Sequence, residues 1–161
     1  MITASVDNRY HDQNPLPRAR RRGGLGRTIV GGLFLTMGGV HLGLVAADPQ
    51  VYGPFADGAL FDFVRDGWAD IVMTAPAVYG LLLMAGEVAL GICLLAGGTA
   101  AKVGWVGVIA FHVLLVLFGW WTLAWVAPAL AVIVPLAWRD LRAEQSRAGT
   151  VPPPVDVRLP G

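Results

Sequence analysis

Residues 75–98 read APAVYGLLLMAGEVALGICLLAGG, and they decide the fold. The run is long enough to cross a bilayer as a helix, which takes about 20 apolar residues. Its one charged residue, Glu87, sits near the middle. A carboxylate at that depth is costly, and such residues face a bundle interior or a polar cavity rather than lipid. The run therefore predicts one helix of a membrane bundle, with Glu87 turned inward.

The rest of the chain fits that reading. Charged residues make up 14% of the 161, against roughly a quarter in a soluble domain. Between Ile71 and Trp138 the only charges are Glu87 and Lys102. Working outward gives four spans, at about 28–47, 75–95, 103–120 and 123–138. Pro76 suits a first helical turn, and Gly97-Gly98 ends the second span. Pro128 and Pro135 fall inside the fourth, where neighbouring helices can satisfy the freed carbonyls. A short fourth span is also consistent with a start at Trp120 or a kink. The first span is rich in glycine, and Gly39 and Gly43 form a small-residue pair that suits a close helix contact. Its basic flank, apolar core and Val45-Ala46-Ala47 ending also match a signal peptide with a cleavage site. Its length, its late start and His41 within it favour a retained span.

Arginines and lysine mark one side of the membrane. They occur in the N-terminal segment (Arg18, Arg20, Arg21, Arg22, Arg27), at Lys102 in the turn between spans two and three, and after Trp138 (Arg139, Arg142, Arg147). The 48–74 loop is acidic, with Asp48, Asp57, Asp62, Asp66 and Asp70 against Arg65. The 119–122 turn is neutral. The positive-inside rule then predicts cytoplasmic N- and C-termini in a bacterial-type plasma membrane. Residues 1–27 and 141–161 read as disordered tails, the first of them basic. The basic run reads as a topology signal, with no nucleic-acid role. Within the loop, Phe61, Val64, Trp68, Ile71 and Val72 recur at helical spacing opposite Asp62, Asp66 and Asp70. This predicts an amphipathic interfacial segment between the first two spans.

Three ionisable residues lie within spans: His41, Glu87 and His112. Counted from the cytoplasmic ends at about 1.5 Å per residue, they fall within roughly 5 Å in depth. Each shares a helical face with glycines: Gly31 and Gly38 with His41, Gly80 and Gly91 with Glu87, Gly104 and Gly119 with His112. A His–Glu–His cluster between spans one, two and three is the resulting expectation. It suits helix-to-helix bonding, proton exchange near neutral pH, or a site for a quinone-like ligand. Haem and metal lack any supporting ligand spacing. Single Cys93 excludes dithiol chemistry within the chain. No hydrolytic triad or phosphate-binding loop is present.

Residues 86–98, GEVALGICLLAGG, resemble the second-helix signature of the DoxX-like membrane proteins: a glutamate, small residues, a leucine run and a glycine turn. The glycine-rich first span, the loop after it and the four-span plan are similar as well. The plan extends over about residues 28–140, and the residue-level likeness over 80–98. Glu87 matches the family's glutamate, while His112 has no counterpart in the pattern and Trp138-Arg139-Asp140 replaces a glycine-containing ending. The resemblance implies a four-helix membrane bundle associated with oxidoreductases and with quinone or thiol redox chemistry. The functional expectation is an accessory of a membrane redox or envelope system, with a quinone-like ligand near Glu87. The alternative is a non-catalytic small subunit or assembly factor, with a membrane protein or a second copy as its partner.

Overall fold

The computed structural model describes residues 24–148, so of the expected tails at 1–27 and 141–161 the parts 1–23 and 149–161 lie outside that range. The described chain is almost entirely helical, with no strand among the described residues. Four long helices, α1 (Gly24–Ala47), α3 (Pro76–Ala96), α4 (Gly98–Leu115) and α5 (Trp120–Ala148), form a bundle. A short α2 (Asp62–Asp70) lies between α1 and α3, flanked by 3-10 turns at Pro49–Ala56 and Val72–Thr74. A third 3-10 turn, Val116–Phe118, ends α4. All four long helices are apolar and long enough to cross a membrane.

Large apolar side chains point outward, as a bilayer demands. Ile29, Leu33, Leu82, Val106, Leu114 and Val132 are all exposed. Small and polar residues point inward, because close backbone approach replaces the hydrophobic drive that lipid cannot supply. Tryptophans are exposed toward both ends of α5, the positions an interfacial belt takes. Trp120, Trp121 and Trp125 are exposed at one end of α5, and Trp138 near the other, with the Arg142 guanidinium 4.5 Å above its ring. The 18-residue interval from Trp120 to Trp138 is about 27 Å of helix, close to the hydrocarbon thickness of about 30 Å.

Helices α1 and α3 run antiparallel and share the most extensive interface. Its register is set by glycines. A Cβ on Gly31 would lie 3.1 Å from the Gly91 carbonyl oxygen, and one on Gly38 would lie 3.2 Å from the Met84 carbonyl oxygen. The Gly39–Gly43 pair has nothing within 4 Å at either position. The close contact runs instead along Gly31 and Gly38, seven residues apart and two turns along the same face. Helix α4 packs on α3, α5 on α4, and α5 closes back onto α1.

The turns explain the short connections. Gly97 (φ 81°) and Gly98 (φ 59°) take left-handed backbone angles that reverse the chain between α3 and α4 almost without a loop. Gly119 (φ 111°) does the same before α5, and a Cβ there would run into the backbone of Gly58.

The apolar core fills the half of the bundle nearest the α3–α4 turn: Val30, Phe34, Leu94, Trp105, Val108, Ile133 and Ala137. Above that turn sits an ionic clasp. Buried Asp140 accepts a hydrogen bond from Trp105 Nε1 at 3.0 Å and lies 3.7 Å from Arg27 Nη1. Glu144 Oε1 lies 3.4 Å from the same guanidinium nitrogen and accepts from the Gly98 backbone N–H at 3.2 Å. These contacts fasten the C-terminal turns of α5 to α1 and to the start of α4. Residues 141–148, read from sequence as part of a tail, are helical, with Leu141 packed on the core. At the other end, α1 begins at Gly24 rather than 28, which brings Arg27 into the clasp.

Candidate functional site

A second set of polar residues lies beyond the apolar core, on the side away from the α3–α4 turn. Gly80, Met84, Glu87 and Gly91 line the face of α3 turned toward α1. Glu87 is 4% exposed, so its carboxyl is enclosed within the protein. His41 comes from the facing side of α1 and places Nε2 3.6 Å from Glu87 Oε1. That is ion-pair range but beyond a good hydrogen bond. Glu87 Oε2 is fully enclosed and has no hydrogen-bond partner. An enclosed carboxyl oxygen without a donor costs the desolvation of that group with no return.

The third member of the cluster is Tyr52, which sequence reasoning missed. Tyr52 Oη lies 2.8 Å from His41 Nδ1, and the two rings stack with centroids 5.8 Å apart. The chain gets there through the Pro49–Ala56 turn. Asp48 caps it by accepting from the Gln50 N–H at 2.9 Å, and the turn folds back over the ends of α1 and α3. Gly80 makes the room: a Cβ there would sit 2.8 Å from Tyr52 Cε2 and 2.5 Å from Val45 Cγ2. Tyr52 is buried, and its phenol is pushed above its ordinary value of 10.0, chiefly by burial and secondarily by the Glu87 carboxylate.

A cap holds Tyr52 in place. Trp68 of α2 donates its Nε1–H to the Tyr52 carbonyl at 2.9 Å. The Trp68 ring packs on Phe55 and Phe118, and Phe55 also packs edge-on against Trp121. The Leu60 N–H donates to the Leu117 carbonyl at 2.9 Å, pinning the loop to the end of α4. So α2 turns Val64 and Trp68 toward the bundle and leaves Phe61, Phe63 and Ile71 exposed.

Of the three residues expected to meet, the structure brings together His41 and Glu87. His112 is buried on α4 but is engaged elsewhere. Its Nδ1–H donates to the Val108 carbonyl at 2.8 Å, and its ring sits against Phe34 and Phe111. Helix α4 begins at Gly98, five residues before the expected span. His112 is therefore about 14 residues from the α3–α4 turn and Glu87 about 10, a difference of about 6 Å along the bundle. Among the described residues, no group of three or more histidine, cysteine or acidic side chains is arranged to hold a metal ion.

An open cleft of about 330 Å³ lies beside the cap, lined by Leu44, Ala47, Asp48, Gln50, Val51 and Pro54. Leu44 is one turn beyond His41, and Val51 adjoins Tyr52. The arrangement supplies a hydrogen-bonded Tyr–His pair and a carboxyl with one unengaged oxygen, and none of these three side chains lines the cleft. Comparison of the chain with protein-family models, with curated proteins and with solved structures finds no match.

Proposed function

We propose that this multi-pass membrane protein is a DoxX-like accessory of a redox or envelope system in a bacterial-type plasma membrane, with both termini cytoplasmic. In this reading Glu87, His41 and Tyr52 bind the head group of a quinone-like ligand. The observation that carries it is Glu87 Oε2, enclosed and without a donor beside an engaged His–Tyr pair. A quinol hydroxyl is a donor of the right kind for that oxygen, and a quinone carbonyl is an acceptor for the imidazole or phenol. The cleft by Leu44 and Val51 opens close in the chain to His41 and Tyr52, although none of the three residues lines it. His112 holds α4 against Phe34 and takes no part in binding. The outer cap, with Phe61, Phe63 and Ile71 exposed beside acidic Asp62 and Asp66, acts as the interfacial segment.

A photoreactive quinone analogue tests the reading. It is expected to label peptides carrying His41, Tyr52 or Glu87, to be displaced by excess quinone, and to lose that labelling in Glu87→Gln. Labelling confined to lipid-facing positions such as Val78 and Leu82, unchanged by competitor, overturns it.

A second reading, a non-catalytic small subunit or assembly factor, is favoured by one observation. Gly32, Gly39 and Gly43 on α1 have open space where a Cβ would stand. A partner helix suits such a row. Cysteine cross-linking from Gly39→Cys in native membranes separates the two, because the ligand reading needs no adduct there.

A further inference from the structure

A second opening lies between α3 and α4, apart from the Glu87 cluster. Leu90 forms one wall and Val103, Val106 and Gly107 the other, with Lys102 at the mouth and a volume of about 410 Å³. Gly107 makes the surface concave, since a Cβ there would run into the Leu90 side chain. Apart from Lys102 the lining is apolar, and water does not settle in such a space. In a bilayer the space takes either an acyl chain or an apolar helix face.

Lys102 decides between them. It is exposed in the first turns of α4, at the end of the bundle that carries the ionic clasp. No carboxylate is within ion-pair distance of it among the described residues. The carboxylates at that end, Asp140 and Glu144, are already engaged by Arg27, Trp105 and the Gly98 N–H. Among its described residues, a second copy of this chain would bring the same engaged carboxylates to that end. An apolar helix would cover the ammonium without an anion to meet it, which is costly. A phospholipid meets both demands at once, because its chain is apolar and its phosphate lies at the height a snorkelling lysine reaches.

We propose that this groove holds one anionic phospholipid, with an acyl chain along Leu90, Val103, Val106 and Gly107 and the phosphate on Lys102. The site selects by charge as well as by fit, and it is distinct from any ligand site at Glu87.

The test is lipid retention. The full chain is reconstituted in vesicles of equal phosphatidylglycerol and phosphatidylcholine, extracted gently, and its bound lipid is measured by native mass spectrometry. Wild type is expected to retain one phospholipid, with phosphatidylglycerol preferred about fivefold, the ratio that one surface lysine supplies. Lys102→Gln is expected to retain lipid without preference. Val106→Trp, at an exposed position, fills the groove and is expected to lose retention of both lipids. Val113→Trp, exposed on the same helix outside the groove, is expected to behave as wild type. Equal retention of the two lipids by wild type, undiminished retention by Val106→Trp, or a polypeptide cross-linked from Val103→Cys in place of lipid each overturns the proposal.

Discussion

Glu87, His41 and Tyr52 form the least ordinary contact set in the molecule, and each depends on a neighbour that yields space. Gly80 is the clearest case. A side chain at 80 would compete with Tyr52 and Val45 for the same volume. Overpacking of this kind costs about 1–3 kcal/mol. Gly80→Leu is therefore expected to lower the thermal unfolding midpoint in detergent and expose Tyr52 to solvent quenching, whereas Gly86→Leu, at a position facing open space, is expected to change neither. Tyr52 also gives a pH prediction. Its proton is held more tightly when folded, so the stability it contributes is complete below pH 10.0 and is lost as pH climbs through the raised value. The tyrosinate absorbance removed by Tyr52→Phe should rise with its midpoint above pH 10.0, and a midpoint at or below 10.0 contradicts the burial described. Two of the three residues of this site were legible in the sequence. Glu87 was visible as an isolated charge in an apolar run, and His41 as its counterpart at similar depth. Tyr52 was not, because it lies in the proline-containing stretch 49–56, which has no periodicity to show which way a side chain turns. Counting residues could not assign His112 either, since its partner is a carbonyl one turn back in its own helix.

At the scale of elements, two devices hold the bundle at its ends, one ionic and one aromatic. In the clasp, Asp140 satisfies the indole N–H of fully buried Trp105 and faces Arg27. Removing its carboxylate leaves a buried donor unpaired, at a cost of about 2 kcal/mol. Asp140→Ala is expected to destabilise the protein by that amount in chemical unfolding, and Asp140→Asn, which keeps an acceptor, by less. Equal losses would show that the hydrogen bond to Trp105 is not what matters. At the opposite end Gly119 joins α4 to α5 with a left-handed backbone pressed against Gly58. Gly119→Ala should loosen the cap, read as faster hydrogen exchange at the Leu60 N–H, whose acceptor is Leu117 next to that turn. The four long helices were legible because apolar length alone marks them. The helical residues 141–148 were not, because their composition is that of a polar tail. Seven of those eight residues are Leu, Arg, Ala, Glu or Gln, all good helix formers, so propensity favours helix there even though apolar length does not mark it, and Glu144 then ties that turn to Arg27 and Gly98.

For the whole molecule, the division of labour follows from the solvent. Lipid gives apolar side chains no reason to turn inward, so glycine contacts and a few polar groups set the packing while leucines and valines face out. The packed core occupies one half of the bundle and the His–Glu–Tyr cluster, under its cap, the other. Orientation is open to a simple assay in a Cys93→Ala background. A cysteine at Asp57 is expected to react with an impermeant thiol reagent in intact cells, and one at Thr99 only after permeabilisation; the reverse pattern would place the acidic cap on the cytoplasmic side. The central claim, that the enclosed carboxyl serves a ligand and is more than a joint between helices, is tested most directly by thermal unfolding of wild type and Glu87→Gln with and without a short-chain quinone. Ligand that binds only the folded state raises the unfolding midpoint in a concentration-dependent way. The account predicts a rise for wild type that is lost or sharply reduced in Glu87→Gln; an equal shift in both proteins, or none in wild type, would contradict it.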